Sequence, residues 1–347
     1  MASDSSGTMG DMDRRTALSL AAITAVQLGS PTALMAQSVQ AEDAAKLPND
    51  HPSLWYRQPA RMWLEALPIG NGRLGAMISG RVRDELIQLN LDSWWAGQPY
   101  DPINPSAREA LPRVRQLIFD ERIAEAHRLA DETLVGRPAT QMPYQTAGAL
   151  LIQLSNVNDN DADAYERELD LDAAVASTRF TAGERRYTRE VFASAIDGVI
   201  VYRLACDRPG SIDAQIAWRA NDGGKSAGKV MPPDSLGTSD ELLAVQMGKA
   251  SADMPGGLRL AANVKVLPRG GRTNREGDAV IVRGADELLI LVALASDHRA
   301  FDLIGGDPVA ATRDVLRAAG RKSYAALLND HLADHRRLFR AASLYLR

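Results

Sequence analysis

The chain has 347 residues, 45% hydrophobic and 24% charged, with 40 Lys and Arg against 44 Asp and Glu for a formal net charge of −4. This composition excludes a disordered or collagen-like chain, and without a block of five basic residues it gives no electrostatic hold on nucleic acid. A single cysteine, Cys206, excludes an internal disulfide framework and a thiolate metal cluster.

Residues 1–40 read as an export signal and a disordered lead. Arg14-Arg15 precede a weakly apolar run over 17–28, and small residues follow. A charged n-region, a short apolar stretch and a small-residue cut site describe a secretory signal, and the paired arginines resemble a twin-arginine signal. The expected location is periplasmic or extracellular, with an N-terminal extension that stays inside as the alternative. The apolar run is shorter than the ~20 residues of a spanning helix, so no stable membrane insertion is expected.

Four of the five tryptophans fall between Trp55 and Trp95, which marks that stretch for binding or special packing. Within it, Gly70-Asn71-Gly72 and Gly75 predict a tight turn. No helix signal follows these glycines, so they lack the helix N-terminus of a phosphate cradle. Strands are predicted over 74–78 and 86–90. Ser106 is a plausible N-cap, and Ala107, Ala110, Leu111, Val114 and Leu117 recur at helical spacing. After a break at 120–122, Ile123, Ala126, Ala130 and Leu134 continue the stripe, giving a helical hairpin or one kinked helix over 106–134. His127 is expected there as a hydrogen-bonded packing residue.

From 149 onward the pattern is strand after strand: 149–154, 165–171, 173–180, 185–192, 198–206 and 212–217. A long Gly- and Pro-rich loop over 221–237 follows, then strands over 242–247, 257–267, 279–281 and 286–294. Turns rather than helices join them, which predicts a mainly β fold: a large antiparallel two-sheet β-sandwich over 52–306 with the helical insertion. The period changes again over 307–347, read as a helical linker, where Tyr324, Leu327, Leu328, Leu332 and Leu338 form an apolar stripe that nothing later in the chain would cover. His331 and His335 lie four apart, but the zinc pattern needs Glu where Leu332 stands. With no third ligand to name, no metal is expected, and no cofactor.

Several runs carry a family likeness. The run from Glu65 through Gly70-Asn71-Gly72-Arg73-Leu74-Gly75 to Met77, the run Gln88-Leu89-Asn90-Leu91-Asp92-Ser93-Trp94-Trp95-Ala96-Gly97, and Tyr187-Thr188-Arg189-Glu190-Val191-Phe192 resemble glycoside hydrolase family 95, the α-L-fucosidase type. The resemblance covers nearly all of 52–347. It implies an N-terminal β-sandwich preceding an (α/α)6 catalytic barrel, and hydrolysis of terminal fucosyl bonds with inversion. An inverting pair of carboxyls stands about 6.5–9.5 Å apart, and in that family both lie in the barrel. No catalytic residue of this chain can therefore be matched, and the missing barrel becomes the expected partner, with a glycan as a second one.

Independently of any family, Trp63, Glu65, Asn71, Arg73, Asn90, Asp92, Trp94 and Trp95 mix aromatic faces with polar groups, as a sugar site or a domain interface would. Three readings stay open for them: tryptophans anchoring the sandwich, packing against another domain, and direct sugar contact. A stand-alone carbohydrate-binding module is the alternative to a domain of a larger hydrolase.

Overall fold

Which strands are apolar on both faces decides how the layers stack. In chain order the elements are β1 (Ser53–Tyr56), β2 (Leu67–Gly70), β3 (Leu74–Ile78), β4 (Asp84–Leu91), α1 (Ala107–Phe119), α2 (Ile123–Thr133), β5 (Ala149–Leu154), β6 (Ala162–Asp170), β7 (Val175–Ala182), β8 (Arg185–Ser194) and β9 (Val199–Cys206). They continue with β10 (Ile212–Arg219), β11 (Lys229–Val230), β12 (Glu241–Met247), β13 (Arg259–Arg269), β14 (Arg272–Glu276), β15 (Ala279–Ala285), β16 (Glu287–Ser296), β17 (His298–Ala300), β18 (Leu303–Ile304), α3 (Pro308–Ala319) and α4 (Tyr324–Phe339). The computed structural model describes residues 52–219, 229–230, 239–251 and 254–344. The expected export signal and most of the expected 221–237 loop lie outside the described residues.

Two antiparallel sheets face each other. Sheet A has the order β1-β6-β7-β8-β9-β16-β13-β12-β11 and sheet B the order β14-β15-β10-β5-β4-β3-β2. The core between them takes Ile200, Tyr202 and Leu204 of β9, Val264 of β13 and Ile290 of β16 from one side. Leu89 of β4, Ile152 of β5, Ile216 of β10 and Val282 of β15 come from the other. Each fully buried aliphatic side chain contributes about 1.5–3 kcal/mol relative to exposure. This is the expected two-sheet sandwich.

A buried ion pair bridges the sheets. Glu85 on β4 and Arg189 on β8 are 0% and 1% exposed, with Nη1 3.0 Å from Oε2. Glu85 Oε1 also accepts the amides of Gly80 and Leu86, and Arg189 donates to the carbonyls of Arg81 and Val82. Burial pushes the Glu85 carboxyl above its ordinary range, opposed by the guanidinium and the two amides. Gly80 closes this corner at φ +68°, where a Cβ would stand 2.6 Å from Tyr165 Oη and 2.9 Å from Arg167 Cδ.

The outer face of sheet A is apolar and covered. Phe192, Val201, Leu289, Leu291 and Ala293 pack against Leu316 and Ala319 of α3 and Leu327 of α4. The stripe expected to stay bare is thus partly consumed: Leu327 is 0% exposed, Tyr324, Leu328 and Leu332 are half-buried, and Leu338 remains exposed. The turn between β6 and β7 locks α4 in place. His331 and His335 each donate an Nε2–H, to the carbonyls of Ala173 and Leu171, at 2.9 Å. Asp172 meets Arg336 Nε at 3.0 Å and Arg340 Nε at 2.6 Å. Both histidines serve packing, stacked in a row from Phe192 to Phe339.

The insertion is a hairpin of two helices, α1 and α2, with its own small core of Val114, Leu117 and Ala126. Its closure comes from Asn104 rather than from the expected cap Ser106, which makes no capping side-chain bond. Asn104 accepts the Ser106 amide and donates to the carbonyls of Glu132 and Val135, tying both ends together. His127 is solvent-exposed, contrary to the packing role expected of it, because the stripe of α2 turns Ala126 inward instead.

Candidate functional site

The eight residues singled out by the sequence divide into three groups. Asn71 and Arg73 are fasteners. The Asn71 side chain accepts the amides of Arg73 and Leu74 and donates to the Ser194 carbonyl at 2.9 Å. Arg73 donates to the carbonyls of Leu294 and Gly198. Together they pin the β2–β3 turn of sheet B to the strand ends of sheet A. Glu65 acts within its own loop, accepting the Arg61 amide at 2.7 Å. Trp94 is an anchor, 1% exposed, donating to the Thr146 carbonyl at 3.2 Å.

Trp63 and Asn90 come together on the outer face of sheet B. There Met77 stands opposite Gln88 and Gly75 opposite Asn90 across the β3–β4 pair. With Trp63 at one side and Tyr144 and Thr146 at the other, these residues line a groove of about 440 Å³. Trp63 is 56% exposed, between the exposed Met62 and Leu64. The loop that presents it is tied down by Arg167, 2% exposed, which donates to the carbonyls of Gln58 and Glu65 at 2.8 and 2.7 Å and lies over the Tyr56 ring. Exposed side chains on a fixed loop are preorganised for contact.

Trp95 and Asp92 belong to the turn that leaves β4. Trp95 Nε1–H donates to the Asp92 carbonyl at 2.9 Å, and its ring meets Tyr144 edge to face at 4.8 Å. Tyr144 donates to the Leu91 carbonyl, and partial burial, reinforced by the Asp92 charge, raises its phenol above the ordinary value. Trp95 lines a second cleft of about 240 Å³ with Gln98, Tyr100, Gln141, His298 and Phe301. A third, of about 290 Å³, runs past Trp94, Tyr144, Gln145, Gln246 and Met247. Sequence reasoning missed Tyr144, His298 and Phe301. A lone large apolar residue among polar neighbours at 297–302 was the available signal for Phe301.

Among the described residues, none of these three clefts is lined by an acid–base pair of the kind glycoside cleavage needs. Neither Glu65 nor Asp92 lines any of these three clefts. A fourth hollow, of about 300 Å³ over β4, β5 and β10, includes Asp84 and Glu85. These are neighbours in one strand, and Glu85 is turned inward onto Arg189. Among the described residues, no group of three or more His, Cys, Asp and Glu side chains could hold a metal ion. No helix among them is long and apolar enough to cross a membrane.

The described residues thus build a two-sheet sandwich sealed by helices on one face and carrying an aromatic-edged groove on the other. Residues 54–300 match the family described as Glycosyl hydrolase family 65, N-terminal domain, and the chain belongs to that family. This overturns the family-95 reading. The runs that suggested it sit where the sandwich needs them: Asn71 and Arg73 fasten a turn, Trp94 fills the core and Arg189 bridges the sheets. Such residues report the scaffold.

Among curated proteins, the chain is 32% identical to Alpha-L-fucosidase 2 of Arabidopsis thaliana over 311 residues, 84% of this chain and 36% of that protein. It is 28% identical to Probable alpha-fucosidase A of Aspergillus niger, over 92% of this chain and 40% of the relative. The chain thus spans well under half the length of these relatives. A solved structure described as a kojibiose phosphorylase from the human microbiome overlays 83% of this chain and 38% of its own, with a TM-score of 0.48 and 9% identity. The homology is to carbohydrate-active proteins of the glycoside-hydrolase kind.

Proposed function

We propose that this chain is the non-catalytic sandwich of an exported hydrolase of the α-L-fucosidase type, supporting a separate catalytic domain that cleaves terminal α-L-fucosyl or related bonds. One observation carries the reading: 84% of the chain aligns with a named fucosidase, yet among the described residues none of these four clefts holds a facing carboxylate pair. In this reading the β2–β4 face, with Met62, Trp63 and Leu64 exposed beside the groove, is the side turned to the catalytic domain. The segment 307–347 leads toward that domain, and α3 and α4 brace it on sheet A. Export rests on Arg14-Arg15 and the apolar run behind them.

The test is to incubate the purified chain with a 2'-fucosylated oligosaccharide and follow free fucose. No release is expected. Turnover that survives removal of contaminating hydrolases and falls in Glu65→Gln or Asp92→Asn would overturn the non-catalytic assignment.

A further inference from the structure

We propose that the cleft between the Trp95 turn and the β17–β18 hairpin is a binding site for one neutral sugar ring. This goes beyond the supporting role above and does not depend on it.

The lining decides the ligand class. Trp95, Tyr100 and Phe301 supply aromatic surface, Gln98, Gln141 and His298 supply hydrogen-bonding groups, and no Asp, Glu, Lys or Arg is among the lining residues. A phosphate, a carboxylate or an ammonium would enter without a countercharge, which is costly in a partly desolvated cleft. Neutral amides both donate and accept, as hydroxyls do. A pyranose matches both halves, with a C–H face for the rings and hydroxyls for the amides. The volume, about 240 Å³, lies below the roughly 300–1,000 Å³ of sites for drug-sized ligands, so it suits one ring rather than an oligosaccharide.

The walls are held before any ligand arrives. Trp95 is fixed by its bond to the Asp92 carbonyl and by the edge of Tyr144. The strand of chain carrying Gln98 is fixed by Gly97, whose amide donates to the Lys249 carbonyl and whose carbonyl accepts the Gly257 amide. A Cβ on Gly257 would come within 2.7 Å of Gln98 Cβ, so the backbone there leaves room for Gln98 and nothing more. On the far wall, Asp297 is 3% exposed and binds the Arg259 amide and Nε at 2.8 and 3.0 Å. Its carbonyl accepts the amides of Gly305 and Gly306, closing the hairpin base. That rigid base presents Phe301 at 90% exposure. A phenyl ring kept wet on an anchored hairpin, beside two other aromatics and two amides, is a stacking platform.

Neutral monosaccharides (L-fucose, D-galactose, D-glucose) are titrated into the purified chain, with glucose 6-phosphate and glucosamine as charged controls. Binding is read by saturation-transfer NMR and tryptophan fluorescence. At least one neutral sugar is expected to bind saturably and more tightly than either charged control. Phe301→Ala is expected to weaken it about fivefold or more, and Gln98→Ala to weaken it similarly. Trp63→Ala, in the separate sheet B groove, should leave it unchanged. Phe301 is a surface side chain, so its removal leaves folding intact. The proposal is overturned by the absence of saturable neutral-sugar binding up to about 50 mM. Binding lost in Trp63→Ala but retained in Phe301→Ala would overturn it equally. A fucose-release result bears on the proposed function alone and leaves this one standing.

Discussion

The two outer faces of the sandwich are built on opposite plans. Sheet A turns Phe192, Val201, Leu289 and Leu291 outward and covers them with α3 and α4. Sheet B turns Met77, Gln88, Asn90, Gln153 and Gln215 outward, and its β2–β4 end carries the groove edged by Trp63. One face is sealed by the chain's own helices, and the other offers a mixed polar and aromatic surface. An apolar face must be buried, whereas a face of amides with a few fixed aromatics can meet water, a domain or a sugar. The same fold thus separates the side that holds the molecule together from the side available for contact.

The largest effect should come from breaking the joint that keeps both faces in register. Arg189→Ala leaves Glu85 buried without its partner, and denaturant unfolding should show a loss of about 3–5 kcal/mol. A loss below about 1 kcal/mol would mean that the sheets are held together elsewhere. Leu327→Ala on the sealed face should cost about 2–4 kcal/mol. By contrast Trp63→Ala on the open face should stay within about 0.5 kcal/mol. Equal costs at the two positions would erase the distinction between the faces.

Two smaller effects sharpen the sealed face. Asn263 is fully buried on β13, on the side of sheet A that α3 covers, and its side-chain amide has no hydrogen-bond partner among the described residues. Replacing it with Leu should raise stability by about 1 kcal/mol in thermal or denaturant unfolding, and a loss would show that the amide is satisfied in solution.

Asp172 is held down to about 2, chiefly by Arg340 and also by Arg336. Its folded value lies below its unfolded value, so its stabilising effect is present above about pH 4 and disappears as pH falls toward 2. The denaturation midpoint of the native chain should therefore fall over that window more steeply than that of Asp172→Asn. Parallel curves would show that the arginines do not hold α4 to the β6–β7 turn.

Much of this division can be read from the strands themselves. β16, with Leu288 through Leu294 all apolar, has no wet side and sits centrally under the helices. β4 alternates in burial, with Glu85, Ile87, Leu89 and Leu91 inward and Asp84, Leu86, Gln88 and Asn90 outward, so Glu85 and Leu86 depart from the polar-out pattern. The edges were harder. β2 contains Pro68, which reads as a break but is tolerated because β2 is the edge of sheet B. β14, Arg272 to Glu276, is also an edge strand and lacks any apolar residue to announce it. The site was legible only in part. Tryptophan clustering found Trp63 and Trp95, but Asn71 and Arg73 reach backbone partners that only the tertiary structure brings near, and Glu65 closes its own loop. Trp95 meets Phe301 across a cleft whose walls are separated by some two hundred residues of chain, a pairing that no local pattern encodes.

Oxidative footprinting of the purified chain tests the two-faced architecture most directly. If one face is sealed and the other open, hydroxyl radicals should modify Met62 and Trp63 rapidly while Phe192 and Leu327 stay protected. Labelling of Phe192 and Leu327 as fast as in a denatured control would show that α4 does not cover sheet A, and would contradict the account.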